Sequence, residues 1–288
     1  MGFSVNGARF LLLAHARGVS FKRVLMIGRQ SLTLTSRDIR TLKRLSISET
    51  MRRNLSTLTI GESVYGEQLL HMCGAERVDS MDKTDYEGAT VLHDMNLPVP
   101  QQWFGLYDAV IDGGSLEHVF NVPTALGNCM EMLKVGGHYL GITPTNNYAG
   151  HGFYQFAPEL FFAAFAPENG FSMLDAFLYE ENGRNVWYRL SQSADLTRRL
   201  TFQNRVPAHL LVLARKDRAI ELFSAMPQQR MYQVAWDGRA SRQFSQSAGV
   251  RAVVFRWLRY LPDRMFWFVL NSWNVKNRFR KDMFTRAD

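Results

Sequence analysis

The feature that most constrains the fold is an alternation of strand-like and helix-like runs between Phe21 and Lys216. The strand-like runs read VLMIG, ERVDSMD, ATVLHDMN, YDAVIDGG, HYLGITP, FSMLDAFLY and HLLVLARK. Between them lie helix-like runs, of which YGEQLLHMCG stops at Gly74 and residues 123–133 stop before Gly136 and Gly137. This alternation predicts a mostly parallel sheet with helices on both faces. Ligands bind such sheets outside the carboxyl ends of the strands, so the residues that follow each strand are the candidate site.

Composition limits the size of the core and the cellular compartment that we expect for this chain. With 288 residues, 46% of them apolar, the chain can bury the core of one large domain, or of one domain and an extension. Cys73 and Cys129 are too few for a disulfide framework or a cysteine zinc site, and they favour a reduced, cytoplasmic compartment. No apolar run has the length needed to span a bilayer. The N-terminal segment lacks a signal-peptide cleavage pattern.

Charge divides the chain in two. Residues 219–288 carry 12 basic and 5 acidic side chains, a net charge of +7, whereas the first 218 residues carry 22 and 21, a net charge of +1. We therefore expect an N-terminal segment (1–20), a main domain (21–218) and a basic, aromatic-rich helical C-terminal extension (219–288). In the extension, VRAVVFRWLRYL and DRMFWFVLNSWNVKNRF predict two amphipathic helices divided at Pro262.

The composition of the C-terminal extension is compatible with three kinds of contact. Its aromatic side chains favour packing on the main domain or on a second copy of the chain, which would make a homo-oligomer. A membrane surface ranks second, because basic and aromatic residues suit an anionic interface, and would place the protein at the inner face of the membrane. Nucleic acid ranks last, since no recognised nucleic-acid module accompanies the charge.

The central stretch carries a family resemblance. In LYDAVIDGGSLEHVFNVPTALGNCMEMLKVGGHYLGITPTNN, the strand YDAV, the loop DGG, the tripeptide LEH and the segment LKVGG follow one another. This order resembles class I S-adenosylmethionine-dependent methyltransferases over residues 22–216. The resemblance implies a Rossmann-like methyltransferase fold with a mostly parallel seven-stranded sheet that closes on an antiparallel pair. It also implies S-adenosylmethionine as cofactor.

Two carboxylates follow from the resemblance. In the family, an acidic residue at the end of the second strand accepts hydrogen bonds from the ribose hydroxyls, and here Asp82 occupies that place. An aspartate after the third strand meets the adenine amine, a role that falls to Asp94. The alternatives are a solvated turn at Asp82 and an Asx turn leading into Pro98 at Asp94.

The fourth strand ends at Asp112 and Gly113, beside the reacting methyl group in the family. His118 follows in the LEH tripeptide and suits a general base, because its ordinary pKa is close to neutrality. Its alternative is a structural role, since LEH occurs in methyltransferases with unrelated substrates. His151 is the alternative base.

The first loop departs from the family. Where the family has three closely spaced glycines, this chain has only Gly28, followed by Arg29 and Gln30. In one interpretation Arg29 pairs with the methionine carboxylate and Gln30 or Ser31 supplies hydrogen bonds. In the other the pocket is degenerate and the domain is a scaffold.

The loop after the fifth strand predicts the substrate site. Asn146, Asn147 and Tyr154 offer donors and acceptors that suit a hydroxylated small molecule, such as a sugar or another secondary metabolite. No pair of histidines at zinc spacing is present, so no metal is expected. The predicted function is methyl transfer to an oxygen or nitrogen of a small polar acceptor. The alternatives are intramolecular displacement on the aminobutyrate chain of the same cofactor, and a non-catalytic scaffold in a biosynthetic assembly.

Overall fold

The computed structural model describes residues 2–45, 48–59, 64–190, 202, 204–224, 226–236, 265 and 284–287. The strands are β1 (Gly2–Phe3), β2 (Arg23–Ile27), β3 (Ser31–Leu32), β4 (Arg77–Asp82), β5 (Val91–Leu92), β6 (Tyr107–Asp112), β7 (Leu133–Asn146), β8 (Phe171–Glu180), β9 (Trp187–Leu190), β10 (Ala208–Lys216) and β11 (Phe284–Ala287). The helices are α1 (Val5–Ala16), α2 (Ser36–Leu45), α3 (Glu49–Leu55), α4 (Glu67–Met72), α5 (Val122–Met132), α6 (Pro158–Ala164) and α7 (Arg230–Trp236). Short 3-10 turns span Gln101–Trp103, Leu116–His118 and Pro167–Asn169.

One mixed sheet dominates the described part of the chain. Its nine strands have the order β11-β9-β8-β10-β7-β6-β2-β4-β5. The five strands from β7 to β5 are parallel, and β10, β8, β9 and β11 add antiparallel pairings. The predicted seven-stranded, mostly parallel sheet was therefore wrong in strand number and in the share of parallel strands. The antiparallel pair β10 and β8 lies where it was expected, and β9 and β11 extend the sheet beyond it.

Alternation along the strands divides the core into two layers. Val24 and Met26 of β2 pack with α1, α2, α3 and α4 on one face, and Leu25 and Ile27 pack with α5 and α6 on the other. Successive side chains of a strand point to opposite faces, so a strand buried on both faces must be apolar throughout. The prediction of helices on both faces is confirmed.

The N-terminal segment forms part of the core. Phe10 and Leu11 of α1 are fully buried, and Asn6 accepts a hydrogen bond of 2.8 Å from the indole of Trp187 in β9. Helix α1 ends at Ala16, Arg17 caps it, and Gly18 follows with a φ of +83°. Helix α1 is thus part of the core, and Asn6 fastens it to β9, near the antiparallel end of the sheet.

The C-terminal extension contributes a strand as well as a helix. Strand β11 pairs antiparallel with β9, and Phe284 at its start is buried. Apart from Met265, which is helical and exposed, the two amphipathic helices predicted on either side of Pro262 lie outside the described residues, as does the oligomer or membrane contact assigned to them. Within the described ranges, no helix combines the length and apolar character that a membrane span requires.

The strand order creates a crevice above β2. From β2 the chain runs outward through β4 and β5 and then returns to β6 and β7 on the other side of β2. The loops that follow β2 and β6 therefore separate in opposite directions at the carboxyl edge of the sheet. This is the position at which doubly wound sheets bind ligands.

Candidate functional site

A cavity of about 320 Å³ occupies this crevice. It lies between the loops that follow β2, β4, β5 and β6. Its lining comprises Ile27, Gly28, Arg29, Gln30, Met81, Asp82, Lys83, Glu87, His93, Asp94, Met95, Asn96, Gly114, Ser115, His118 and Val119. Five of the seven predicted cofactor residues and one predicted base thus share a single cavity. Asp112, Gly113, His151 and the three predicted substrate residues are not among its lining residues.

The first loop turns sharply at Gly28. This residue has a φ of +69°, and its N–H donates to the carbonyl of Met81 at 2.7 Å. A Cβ at Gly28 would stand 2.7 Å from the Oγ of Ser115. Glycine is therefore needed here both for the backbone conformation and for the close approach of the β6 loop.

Gln30 fills the space behind this turn. Its side chain is buried, and Nε2 donates to the carbonyl of Ile27 at 2.7 Å and to Ser115 Oγ at 3.0 Å. The same side chain lies so close to Gly113 that a Cβ there would stand 2.7 Å from its Cδ and Oε1. Gln30 Oε1 has no hydrogen-bond donor among the described residues. A side chain, in place of a glycine-rich backbone, thus shapes this end of the cavity.

Arg29 is held at the rim by protein groups. Its Nε pairs with Glu67 Oε1 at 2.8 Å, one terminal nitrogen donates to the carbonyl of Glu87 at 3.0 Å, and the guanidinium stacks 3.9 Å from the ring centre of Tyr65. These contacts fix a positive charge beside the first loop.

Two predicted carboxylates face the cavity from neighbouring strand ends. Asp82 Oδ1 accepts the backbone N–H of Lys83 at 2.6 Å. Asp94 Oδ1 accepts two hydrogen bonds from Asn96, and its Oδ2 lies 2.9 Å from Lys83 Nζ. The Lys83 hydrogen bond, followed by those from Asn96, lowers the pKa of Asp94 far below its ordinary value. The predicted Asx turn at Asp94 is thus present, and its carboxylate lines the cavity as well.

Asp112 holds the loop that follows β6 through hydrogen bonds to its backbone. Its side chain is fully buried, and Oδ1 accepts the N–H groups of Gly114, Ser115 and Leu116 at 3.3, 2.8 and 3.3 Å. Tyr139 donates to Oδ2 at 3.3 Å. Burial raises the pKa of Asp112 although these hydrogen bonds oppose the shift. Asp112 therefore orders the turn that carries His118.

The two predicted bases meet at the edge of the cavity. The rings of His118 and His151 pack edge to face with centroids 5.1 Å apart, and His151 Nε2 lies 3.7 Å from Glu117 Oε1. Glu117 is completely buried, and burial first and Asp112 second raise its pKa. The pKa of His118 is lowered, first because its ring is partly buried and second because His151 lies beside it. Glu117 was visible in the LEH tripeptide, but only the fold shows that it lies under both histidines.

The predicted substrate residues donate hydrogen bonds to two neighbouring segments that do not line the cavity. Asn146 and Asn147 donate to Asn204 Oδ1 at 2.7 and 2.6 Å, and Asn147 also donates to the carbonyl of Val206 at 2.9 Å. Tyr154 donates to the carbonyl of Phe120 at 2.8 Å. These contacts hold the loop that bears His151 against the strand ends.

The sequence did not predict a cluster of Tyr148, His209 and Glu181 that lies next to His151. Tyr148 packs against His151 and His209 with ring centroids 5.3 and 5.0 Å away, and His209 lies 3.4 Å from Glu181 Oε1. Burial and then Glu181 raise the pKa of Tyr148, and burial lowers the pKa of His209 to about 4. Their positions in sequence are far apart, so only the pairing of β7 with β10 brings them together.

The comparisons with known proteins find distant structural similarity. No family model and no curated protein matches the chain. Among solved structures, the branched-chain polyamine synthase from Thermus thermophilus is 16% identical with a TM-score of 0.37, over 78% of this chain and 61% of that one. The 1,6-didemethyltoxoflavin-N1-methyltransferase of Burkholderia thailandensis is 13% identical with a TM-score of 0.41, over 75% and 79%. YcgJ from Bacillus subtilis is 12% identical with a TM-score of 0.39, over 73% and 99%.

These similarities are too distant to carry an argument, and the chain spans only about three fifths of the Thermus enzyme. The chain's own strand order, with its cavity at the reversal point beside β2, defines a doubly wound α/β fold with a candidate ligand site at the carboxyl edge of the sheet.

Proposed function

We propose that this protein transfers the methyl group of S-adenosylmethionine to an oxygen or nitrogen of a small polar acceptor. The observation that carries the proposal is the cavity beside β2, where two carboxylates from adjacent strand ends face the loop bearing Arg29 and Gln30. A nucleoside with a charged amino-acid chain presents hydroxyls, an amine and a carboxylate, and each has a counterpart among these groups.

The nucleoside end fits the β4 and β5 side of the cavity. Asp82 would accept hydrogen bonds from the ribose hydroxyls, and Asp94, kept ionised by Lys83 and Asn96, would accept one from the adenine amine. Met81 and Met95 provide polarisable apolar wall on which an adenine ring can pack.

The amino-acid end fits the β2 side. Arg29 would pair with the carboxylate, and Gln30 Oε1, a buried acceptor with no donor among the described residues, would accept from the ammonium. Gly28 and Gly113 let the first loop and the β6 loop approach each other around this end.

When bound, S-adenosylmethionine supplies a methyl carbon made electrophilic by the adjacent sulfonium. Asp112 fixes the β6 loop, so that His118 stands at the edge of the cavity. His118 or His151 would accept the proton that the acceptor's O–H or N–H group loses. Asn146, Asn147 and Tyr154 would help to position the acceptor, in the manner of the polar groups that orient ligands in other pockets.

The proposal extends to the cellular compartment of the protein and to the contacts of its C-terminal extension. Cys73 and Cys129 are both buried free thiols, which supports a reducing compartment such as the cytoplasm. Through the C-terminal extension the chain would form a homo-oligomer or, as the second candidate, contact the inner face of the membrane.

The test is calorimetric titration of Asp82→Ala with S-adenosylhomocysteine. We expect its Kd to rise at least tenfold, because a ribose that loses its carboxylate partner loses on the order of 1.4 kcal/mol or more. Asp85→Ala is the matched control, since Asp85 is exposed three residues along the same loop and does not line the cavity. Equal affinity of both variants would remove Asp82 from the site.

A further inference from the structure

Three potential metal ligands meet beside the proposed acceptor site. Glu117 and His118 lie in the turn after β6, and His151 lies in the loop after β7. One ligand atom from each side chain lies within 4.8 Å of the other two. Two imidazoles and a carboxylate form a donor set that catalytic zinc sites use, with a fourth position left open.

The carboxylate of Glu117 is the observation that points to a ligand. Its side chain is 0% exposed, and neither oxygen accepts a hydrogen bond within the described residues. A buried carboxylate without such bonds is costly, and bound cations are among the usual ways in which proteins compensate it.

The backbone keeps the three groups together. The carbonyl of Glu117 accepts the N–H groups of Phe153 and Tyr154 at 2.8 and 3.2 Å, which fastens the β7 loop to the β6 turn. Gly152, the residue before Phe153, packs so closely that a Cβ there would stand 2.8 Å from the Glu117 carbonyl oxygen. The approach of His151 to Glu117 is therefore built into both loops.

We propose that Glu117, His118 and His151 bind one divalent transition-metal ion of the zinc class, with an open position toward the cavity. Ligand atoms around tetrahedral zinc lie about 3.3 Å apart. Binding therefore requires the side chains to close by at most about 1.5 Å from their 4.8 Å limit. Mg²⁺ fits poorly, because it prefers oxygen ligands.

Such an ion would deepen the proposed function, and only this use of the ion rests on that function. An acceptor hydroxyl at the open position would lose its proton more readily, because a metal lowers the pKa of a bound oxygen acid. The metal would then do what His118 or His151 would otherwise do as a base. Metal binding itself is measured without cofactor or acceptor.

The experiment is calorimetric titration of the full chain with Zn²⁺, after chelator treatment and removal of any histidine tag. We expect one ion per chain with a Kd in the micromolar range or tighter. Glu117→Gln and His151→Ala should each weaken binding at least tenfold. The control His71→Ala removes an exposed imidazole at the end of α4 and should leave the Kd unchanged. No binding, or binding that both site variants leave unchanged, overturns the proposal.

Two further measurements keep the outcome decisive. Co²⁺ should give the visible absorption of a low-coordinate site in the wild type, and this absorption should be lost in His118→Ala, whose exposed side chain can be removed without opening the core. Circular dichroism identifies any variant that fails to fold. Zinc binding without S-adenosylhomocysteine binding would sustain the metal site and defeat the proposed function, and the reverse result would do the opposite.

Discussion

Replacing Gly113 with alanine should destabilise the protein through a residue 83 positions away. The new Cβ would stand 2.7 Å from Cδ and Oε1 of Gln30 and 3.0 Å from its Cγ. Gln30 is 2% exposed, so it cannot move aside without giving up its hydrogen bonds to Ile27 and Ser115. Two lost hydrogen bonds and an overpacked core together cost about 2–4 kcal/mol.

Urea unfolding followed by circular dichroism measures this cost. Gly150→Ala is the control, because among the described residues no atom other than those of its chain neighbours lies within 4 Å of the added Cβ, and its effect should stay within about 0.5 kcal/mol. In a Gln30→Ala background the Gly113→Ala substitution should cost little, since the atoms it meets are gone. Equal costs in both backgrounds would refute the reasoning.

The same substitution tests the shape of the cavity. A displaced Gln30 side chain should obstruct the amino-acid end of the proposed cofactor site. Gly113→Ala should therefore weaken S-adenosylhomocysteine more than adenosine, whereas Gly150→Ala should leave both affinities unchanged. Equal losses for the two ligands would indicate general damage.

Three further predictions concern charge. Arg29→Ala should weaken S-adenosylhomocysteine far more than adenosine in calorimetry, because only the former carries a carboxylate; equal losses would count against its role. Asp175→Asn should lower the free energy of unfolding by about 2 kcal/mol, because buried Asp175 pairs with Arg17 and Arg189; a change below 0.5 kcal/mol would contradict this. Burial lowers the pKa of His209 from 6.5 to about 4. Between these values the unfolded chain binds a proton that the native state excludes, so stability should fall as pH drops through this window. His209→Gln should therefore make Tm depend less on pH within this window. A pH profile of Tm equal to that of the wild type would contradict the lowered pKa of His209.

Local patterns were sufficient to predict much of the sheet. The apolar run of β2 and the stop of α4 before Gly74, which has a φ of +89°, follow from periodicity and from glycine's conformational freedom. Strand β9 was missed because WYRL is short and has no clear alternation. Strand β11 was missed because its partner lies almost a hundred residues earlier, and local pattern says nothing of such pairing.

The strand ends were sufficient to predict several of the residues that line the cavity of the candidate site, whereas the packing of its side chains was not predictable from the sequence. Asp82 and Asp94 share the cavity because parallel strands end at one edge. Gln30 can fill the glycine-poor loop because Gly113 leaves room for its side chain. Glu117 lies close to both His118 and His151 because the loop after β7 folds back over the turn after β6. Both are tertiary contacts between distant segments, and no local pattern encodes them.

The most direct test of the central claim is calorimetric titration of the wild-type chain with S-adenosylmethionine. We expect one binding site per chain with a micromolar Kd, and a rise in Tm that follows the ligand concentration. The absence of both binding heat and a Tm shift at millimolar ligand would show that the cavity beside β2 does not hold this cofactor.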